Sequence, residues 1–177
     1  MPSPDLTVRR LAVLTPADID ALSAVLIDCV DGGASVGFMQ PFDPARAQAF
    51  WRRVADGVAR GERALLVAQD ALGIVGTVQL VLDQPDNQPH RADLCKMLVH
   101  RRSRRQGTGA ALMRAAEALA RENGKTLLVL DTANPDAERL YEREGWQRVG
   151  TVPDYALLPA GGLCATTYFY RRLDINA

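Results

Sequence analysis

Residues 104–112 read Arg-Arg-Gln-Gly-Thr-Gly-Ala-Ala-Leu and lie between an apolar run typical of a strand and an Ala- and Leu-rich run with helical spacing. The two glycines, Gly107 and Gly109, let the backbone curl so that successive N–H groups point into one concavity. The helix macrodipole adds roughly half a positive charge at the same place, and Arg104 and Arg105 supply full charges. The stretch therefore predicts a helix start that binds an anion such as a diphosphate.

Two other phosphate motifs do not fit these residues. A Walker loop requires Gly-Lys-Ser/Thr, but Gly109 is followed by Ala110 and Ala111. A dinucleotide fingerprint requires a third Gly or Ala where Leu112 stands. The remaining alternative to an anion site is a basic glycine turn that only begins a helix.

Composition predicts one domain that covers residues 1–177. The chain is 47% apolar, enough for a sizeable core, and its 21 basic residues balance its 21 acidic residues. Balanced charge argues against nucleic acid or an anionic membrane as the main partner. The basic cluster at 101–105 is therefore a local feature of a site.

The three cysteines are odd in number and far apart, which suits a reducing compartment. No apolar run approaches the ~20 residues of a membrane span, and the first five residues lack a signal pattern. We therefore expect a cytoplasmic protein. With His90 and His100 as its only histidines and no carboxylates clustered beside them, we expect no metal site.

Hydrophobic periodicity predicts strands that come first as a meander and then alternate with helices. This order predicts an α/β fold with a mixed sheet flanked by helices. The expected strands are 7–14, 63–69, 74–82, 93–99, 126–131, 147–152 and 164–171, and the expected helices begin at Pro16, at Pro44, within residues 104–112 and at Pro135.

The pattern Arg/Gln-x-x-Gly-x-Gly/Ala after the strand Met97-Leu98-Val99 resembles the acyl-CoA pyrophosphate loop of GNAT N-acetyltransferases, and the order of elements is the GNAT order. The loop at 32–39 and the segments 91–99 and 152–170 resemble the tabtoxin-resistance branch of that family. The resemblance implies a mixed, mostly antiparallel sheet of about seven strands with about four helices. It also implies acetyl-CoA as co-substrate and direct transfer to the primary amine of a small amino-acid-like toxin or antibiotic, such as tabtoxinine-β-lactam.

The same resemblance implies a set of acetyl-CoA contacts. Main-chain groups of the last strand residues would hold the pantetheine arm, the glycine loop would hold the diphosphate, and an asparagine would bind the pantetheine amide. In chain order these residues are Met97, Leu98, Val99, Arg104, Arg105, Gln106, Gly107, Thr108, Gly109, Ala110 and Asn134.

Tyr141 stands where GNAT enzymes commonly place the hydroxyl that protonates the departing thiolate. An unperturbed tyrosine pKa near ~10 keeps such a donor protonated at neutral pH. The alternative is a core tyrosine, because Tyr141 shares a helical face with Ala137 and Leu140.

Asp93 and Asp131 occupy strand positions that are otherwise apolar, and a buried carboxylate requires compensation. One interpretation is structural pairing with Lys96, an arginine or a backbone N–H. The other is that both face the site, bind the substrate ammonium and deprotonate it through water. Two converging carboxylates would favour general-base action by one of them.

Ser35, Phe38 and Met39 are candidate walls of the acceptor pocket, although Phe and Met also suit a packed plug under the loop. Cys95 is expected to be a buried thiol, because no histidine is placed to activate it. Two alternatives to the small-molecule transferase remain: a non-catalytic acetyl-CoA sensor, and acetylation of proteins or polyamines. The last strand either pairs across a homodimer or closes the sheet of one subunit.

Overall fold

The computed structural model describes residues 6–174, which form one seven-stranded sheet in the order β1-β2-β3-β4-β5-β7-β6. Only β4 and β5 are parallel neighbours; every other pair is antiparallel. The strands are β1 (Thr7–Leu11), β2 (Arg63–Asp70), β3 (Gly73–Val81), β4 (Arg91–Val99), β5 (Leu127–Thr132), β6 (Gln147–Leu157) and β7 (Leu163–Arg172). The helices are α1 (Pro16–Asp31), α2 (Pro44–Ala59), α3 (Thr108–Glu122) and α4 (Pro135–Arg143), with a 3-10 turn at Arg101–Ser103. The predicted fold class and element order are confirmed.

Two predicted strand boundaries were wrong. The first strand ends at Leu11 rather than at residue 14, because its ladder with β2 stops there. β6 extends to Leu157 rather than to 152, because it resumes pairing with β7 beyond an irregularity between Val152 and Ala156. No helix in the described part of the chain is both long enough and apolar enough to cross a membrane.

Each face of the sheet carries its own apolar core. The core under α1 and α2 includes Leu22, Trp51 and Leu65, and the core under α3 and α4 includes Leu112 and Phe169. Side chains of a regular strand alternate between faces. The core that one strand residue enters therefore shows which face its neighbours in the strand occupy.

β4 contributes to both cores because it contains a bulge. Leu94 lies in the α3/α4 core, whereas Leu98, four residues later, lies in the α1/α2 core. A regular strand would place both on one face. The ladder with β3 shifts between Thr77 and Gln79, where two steps along β3 oppose three along β4. The extra residue therefore reverses the side-chain alternation of β4 beyond Cys95.

β4 and β5 pair over only three residues each and then separate. Their register ends at Asp93 opposite Val129, although β4 continues to Val99 and β5 to Thr132. Beyond that point the two strands present backbone edges that are not paired with each other. The sheet thus opens a cleft beside the bulge.

Candidate active site

The start of α3 differs from the start of every other helix in the described chain. Side chains cap α1, α2 and α4 at Thr15, Asp43 and Asn134, whereas α3 begins after Gly107 with no side-chain cap. The first N–H groups of a helix need an acceptor from outside the helix. At α3 they are available to an anion, and the residues present fit a diphosphate.

The loop before α3 takes the curled path that the sequence predicted. Arg105 has φ +59° and Gly107 has φ +81°, both in the left-handed region. Gly107 adopts this conformation freely, while arginine there is uncommon. Successive N–H groups of such a loop form an anion-binding concavity.

The four arginines of the basic cluster have different roles. Arg101 Nε donates to Asp28 Oδ1 at 2.8 Å, Arg102 forms an ion pair with Asp70, and Arg104 Nε donates to the carbonyl of Val99 at 3.0 Å. Arg105 is exposed and makes no ion pair with any residue in 6–174. Arg104 therefore braces the end of β4 through its Nε, and Arg105 carries the free charge; that both arginines bind phosphate stays a prediction.

The other side chains of the loop hold its shape. Gln106 Nε2 donates to the carbonyl of Arg102 at 3.0 Å, and the buried Thr108 hydroxyl lies 2.8 Å from the hydroxyl of Ser103. These bonds leave the main-chain N–H groups as the main donors for a diphosphate at these positions, and that contact stays a prediction.

Gly109 lies where α3 packs closely against α4. A Cβ at this position would lie 2.8 Å from Cδ2 of Leu140. Its missing side chain therefore points at α4 and not into the anion concavity.

Replacing Gly109 with Ala should destabilise the fold by about 1 kcal/mol or more, because overpacking outweighs the gain in helix propensity. In a Leu140→Ala background the same change should be neutral or stabilising, since the clashing methyl is gone. Urea unfolding of the four proteins in this cycle measures the effect. The same sign in both backgrounds would contradict the contact.

Asn134 caps α4, because its Oδ1 accepts from the N–H groups of Asp136 at 2.8 Å and Ala137 at 3.4 Å. Only its Nδ2 group therefore remains for the predicted bond to pantetheine. The cap also fixes the first turn of the helix that carries Tyr141.

Tyr141 fits both interpretations offered by the sequence, a core tyrosine and a proton donor. It is 4% exposed and packs against Trp146 and Phe169, with ring centroids 6.1 and 5.7 Å away. Burial, with a smaller contribution from nearby Asp131, holds its pKa well above the usual range. Its hydroxyl therefore stays protonated at neutral pH and can donate a proton.

Asp93 is not the buried carboxylate that the sequence suggested. Its side chain is 41% exposed, forms an ion pair with Arg91 and accepts from Gln84 Nε2 at 3.2 Å. The structural interpretation, pairing with an arginine, is the one observed.

Asp131 is exposed rather than buried, and its side chain has fewer partners than that of Asp93. Its Oδ2 accepts from the hydroxyl of Thr166 at 2.7 Å, and Tyr168 lies opposite it on β7. The Tyr168 hydroxyl lies 2.9 Å from that of Tyr155, and this hydrogen bond raises the pKa of Tyr168 to about 12. The two tyrosines were not anticipated from the sequence, since only the pairing of β6 with β7 brings them together.

Asp93 and Asp131 lie on one face of the sheet, opposite α3 and α4. Their strand neighbours Leu94 and Leu130 point into the α3/α4 core, so by alternation the aspartates point to the other face. Both influence the pKa of the Cys95 thiol. The two carboxylates therefore lie on the same face in the region around Cys95, and Asp93 is neutralised by Arg91; their convergence on one site stays a prediction.

Asp131→Asn should lower kcat by about 10- to 30-fold, because the amide cannot accept a proton, whereas Asp93→Asn should change it by about 3-fold or less. The difference follows from the ion pair of Asp93 with Arg91. Steady-state kinetics at saturating acetyl-CoA separates the two variants. A larger loss for Asp93→Asn would reverse this assignment.

The loop between α1 and α2 contacts the β6–β7 hairpin. Ser35 Oγ donates to the carbonyl of Leu157 at 3.3 Å, so it anchors the loop. Phe38 packs against Phe42 and Phe50, with centroids 4.5 and 5.3 Å away, which is the packed plug. Met39 is 37% exposed and remains the candidate pocket wall among the three.

The Cys95 thiol is poorly suited to covalent catalysis. Burial raises its pKa, which disfavours the nucleophilic thiolate. All three cysteines are free. No cluster of three or more potential metal ligands occurs within residues 6–174.

The bulge residue of β4 is Lys96, with φ +51°, and sequence reasoning missed its role. A signal was present: strict alternation would place Lys96 in the α3/α4 core between Leu94 and Leu98. A lysine at a core position of a strand indicates a break in register.

Comparison with known proteins agrees with this geometry. The model of the Acetyltransferase (GNAT) family matches residues 34–146, well over half of the chain. A protein of Azospirillum brasilense, named uncharacterized N-acetyltransferase in hisH-hisA intergenic region, is 33% identical over 131 residues. This match covers 72% of this chain and 75% of the relative.

Two solved structures share the fold across nearly the whole chain. One is yncA from Salmonella typhimurium with its cofactor acetyl-CoA, which has a TM-score of 0.77 and 19% identity and covers 96% of this chain and 95% of the other. The second is a GCN5-related N-acetyltransferase from Kribbella flavida, with a TM-score of 0.78, 24% identity and coverage of 97% and 100%. On the family match and the curated relative, the chain belongs to the GNAT acetyltransferase family and is an acyltransferase.

Proposed function

We propose that this protein is a single-domain, acetyl-CoA-dependent N-acetyltransferase that transfers the acetyl group directly to the primary amine of a small amino-acid-like molecule. The observation that carries the proposal is the uncapped start of α3 beside the cleft between β4 and β5. An anion site that fits a diphosphate lies beside a cleft with unpaired strand edges. This combination matches acyl-CoA, in which a diphosphate is joined to an extended arm.

The backbone around the bulge supplies the contacts for the thioester. Met97, Leu98 and Val99 follow the last β4–β5 pair, so one edge of their backbone faces the cleft. The pantetheine arm would lie along this edge as an extra strand, with the N–H of Leu98 or Val99 directed at the thioester oxygen.

Tyr141 and Asp131 lie on opposite faces of the sheet at this cleft. Tyr141 belongs to the α3/α4 core, while Asp131 points to the other face. The amine nitrogen attacks the thioester carbon from the Asp131 side, and the proton lost by nitrogen passes through water to Asp131. The carbon–sulfur bond then breaks, and Tyr141 gives its proton to the leaving thiolate.

The resemblance of residues 32–39, 91–99 and 152–170 to the tabtoxin-resistance branch supports an amino-acid-like toxin or antibiotic as acceptor. The free cysteines support a cytoplasmic location.

The experiment that tests the function is acetyl-CoA-dependent release of free CoA with a panel of amines and an amine-free control. The panel holds tabtoxinine-β-lactam, other amino-acid antibiotics, polyamines and lysine peptides. Release with an amino-acid acceptor supports the proposal, and release with lysine peptides or polyamines redirects it. Saturable acetyl-CoA binding without release for any amine would favour the sensor.

A further inference from the structure

Lys96 adopts a backbone conformation that glycine would adopt more easily. Its φ of +51° is in the left-handed region, where a lysine is strained and glycine or asparagine is preferred. The ladder places the extra residue of the bulge between Cys95 and Leu98. A side chain retained at such a position has a use for its end group.

The Lys96 ammonium group reaches the α1–α2 loop, on the face that carries Asp93 and Asp131. A Cβ on Gly37 would lie 3.7 Å from Lys96 Nζ. Within residues 6–174 this Nζ makes no hydrogen bond and no ion pair, although Lys96 is half-buried. Lys125, the other lysine of the chain, donates instead to the carbonyls of Leu82 at 3.0 Å and Pro89 at 2.8 Å. Lys125 is structural, and Lys96 is available.

Charges of both signs therefore border the region around Cys95. Lys96, Asp93 and Asp131 all influence the pKa of that thiol, which supports their placement near one another. Arg63 also influences this pKa, but its Nη1 donates to Gln79 Oε1 at 3.0 Å. Asp93 is balanced by Arg91, so within the described residues Lys96 is the cation of this group without a hydrogen-bond partner and Asp131 is the carboxylate without an ion pair. One cation and one anion in a common site complement a ligand that carries one of each.

We propose that Lys96 binds the carboxylate of the acceptor, so that the enzyme selects zwitterionic amino acids whose amine faces Asp131. This inference rests on the proposed function, and it makes Lys96 a specificity-determining residue. A charge-assisted hydrogen bond from a half-buried ammonium group favours the carboxylate over a neutral amide. The same charge repels polyamines.

The test is calorimetric binding to the CoA-bound protein. The probes are tabtoxinine-β-lactam and the proteinogenic L-amino acids, each compared with its α-carboxamide. The wild-type protein should bind at least one acid about 10-fold or more tightly than the amide. Lys96→Met should reduce that preference to about 2-fold or less, and Lys96→Arg should retain most of it. Thermal unfolding of the variants checks that the fold is kept, since Met and Arg carry the same backbone strain as Lys.

Three results would overturn the proposal: no acid in the panel binds, acids and amides bind equally, or Lys96→Met keeps the preference. CoA release measured on the same samples tests the proposed function separately. Carboxylate-dependent binding without acetyl transfer would remove the transferase and leave the role of Lys96 intact. Transfer to amino acids and amides at equal rates, with equal affinities, would support the transferase and overturn the role of Lys96.

Discussion

Replacing Tyr141 with Phe should lower kcat by about 100-fold or more and leave the Kd for acetyl-CoA within about 2-fold. Positioned proton donors contribute on this scale, and the change removes only the hydroxyl. The ring contacts with Trp146 and Phe169 remain, so the fold should persist. Single-turnover acetyl transfer and calorimetric binding of acetyl-CoA measure the two quantities.

A matched control is Tyr170→Phe, which removes a hydroxyl that donates to Gln147 Oε1 on β6. This variant should transfer acetyl at the wild-type rate. If both variants lost activity equally, the loss would reflect general disturbance of β7 and α4. If neither did, Tyr141 would be only the core tyrosine that its burial also suggests.

The direction of the Tyr141 pKa shift predicts the alkaline side of the rate profile. Burial disfavours the phenolate, so the pKa lies above its ordinary value near ~10 and the donor stays protonated across the neutral and mildly alkaline range. Loss of the donor by ionisation should therefore begin only above about pH 10. An alkaline limb centred near pH 8 in the wild type that disappeared in Tyr141→Phe would contradict this assignment.

The sequence predicted helix starts and loop shape well where these depend on residues that are close together in the chain. Thr15 and Asp18 form the expected capping box, and Asn134 caps the helix that begins at Pro135. The glycine loop curls as expected at Gly107. These features depend on residues a few positions apart, so the chain alone defines them.

Predictions that depended on tertiary contacts were less accurate. Asp93 was predicted to be a buried carboxylate, but its side chain is partly exposed and contacts Arg91 and Gln84. The bond from Arg104 Nε to the carbonyl of Val99 was not anticipated either. Which carboxylate or carbonyl a long side chain finds depends on the packing of distant segments, and periodicity does not encode it.

The bulge at Lys96 could be predicted only in part from the sequence. Its sequence signal, a lysine between Leu94 and Leu98, indicates that alternation fails but not where the chain gains its extra residue. The register with β3 supplies that information. A functional position can thus show itself as a local violation of pattern, because a strand with no task beyond packing has no reason to keep a lysine at a core position.

The anion site at α3 gives the second large effect, and it separates binding from stability. Ala110 is the third residue of α3, within the first turn that carries the available N–H groups. Ala110→Asp should raise the Kd for acetyl-CoA by about 30- to 150-fold, because a unit charge roughly 5 Å from a diphosphate costs about 2–3 kcal/mol near a protein surface. Ala110→Asn, its neutral isostere, should raise the Kd by only about 3-fold.

Stability should move in the opposite direction. An aspartate in the first turn of a helix interacts favourably with the macrodipole, and α3 begins without a side-chain cap that would compete with it. Ala110→Asp should therefore be at least as stable as Ala110→Asn in urea without ligand, while acetyl-CoA should protect it far less. If the two variants bound acetyl-CoA equally, the diphosphate would lie elsewhere. If Ala110→Asp were simply less stable, lost folding would account for the lost binding. Tighter folding with weaker binding is the combination that only an anion seated on the start of α3 explains.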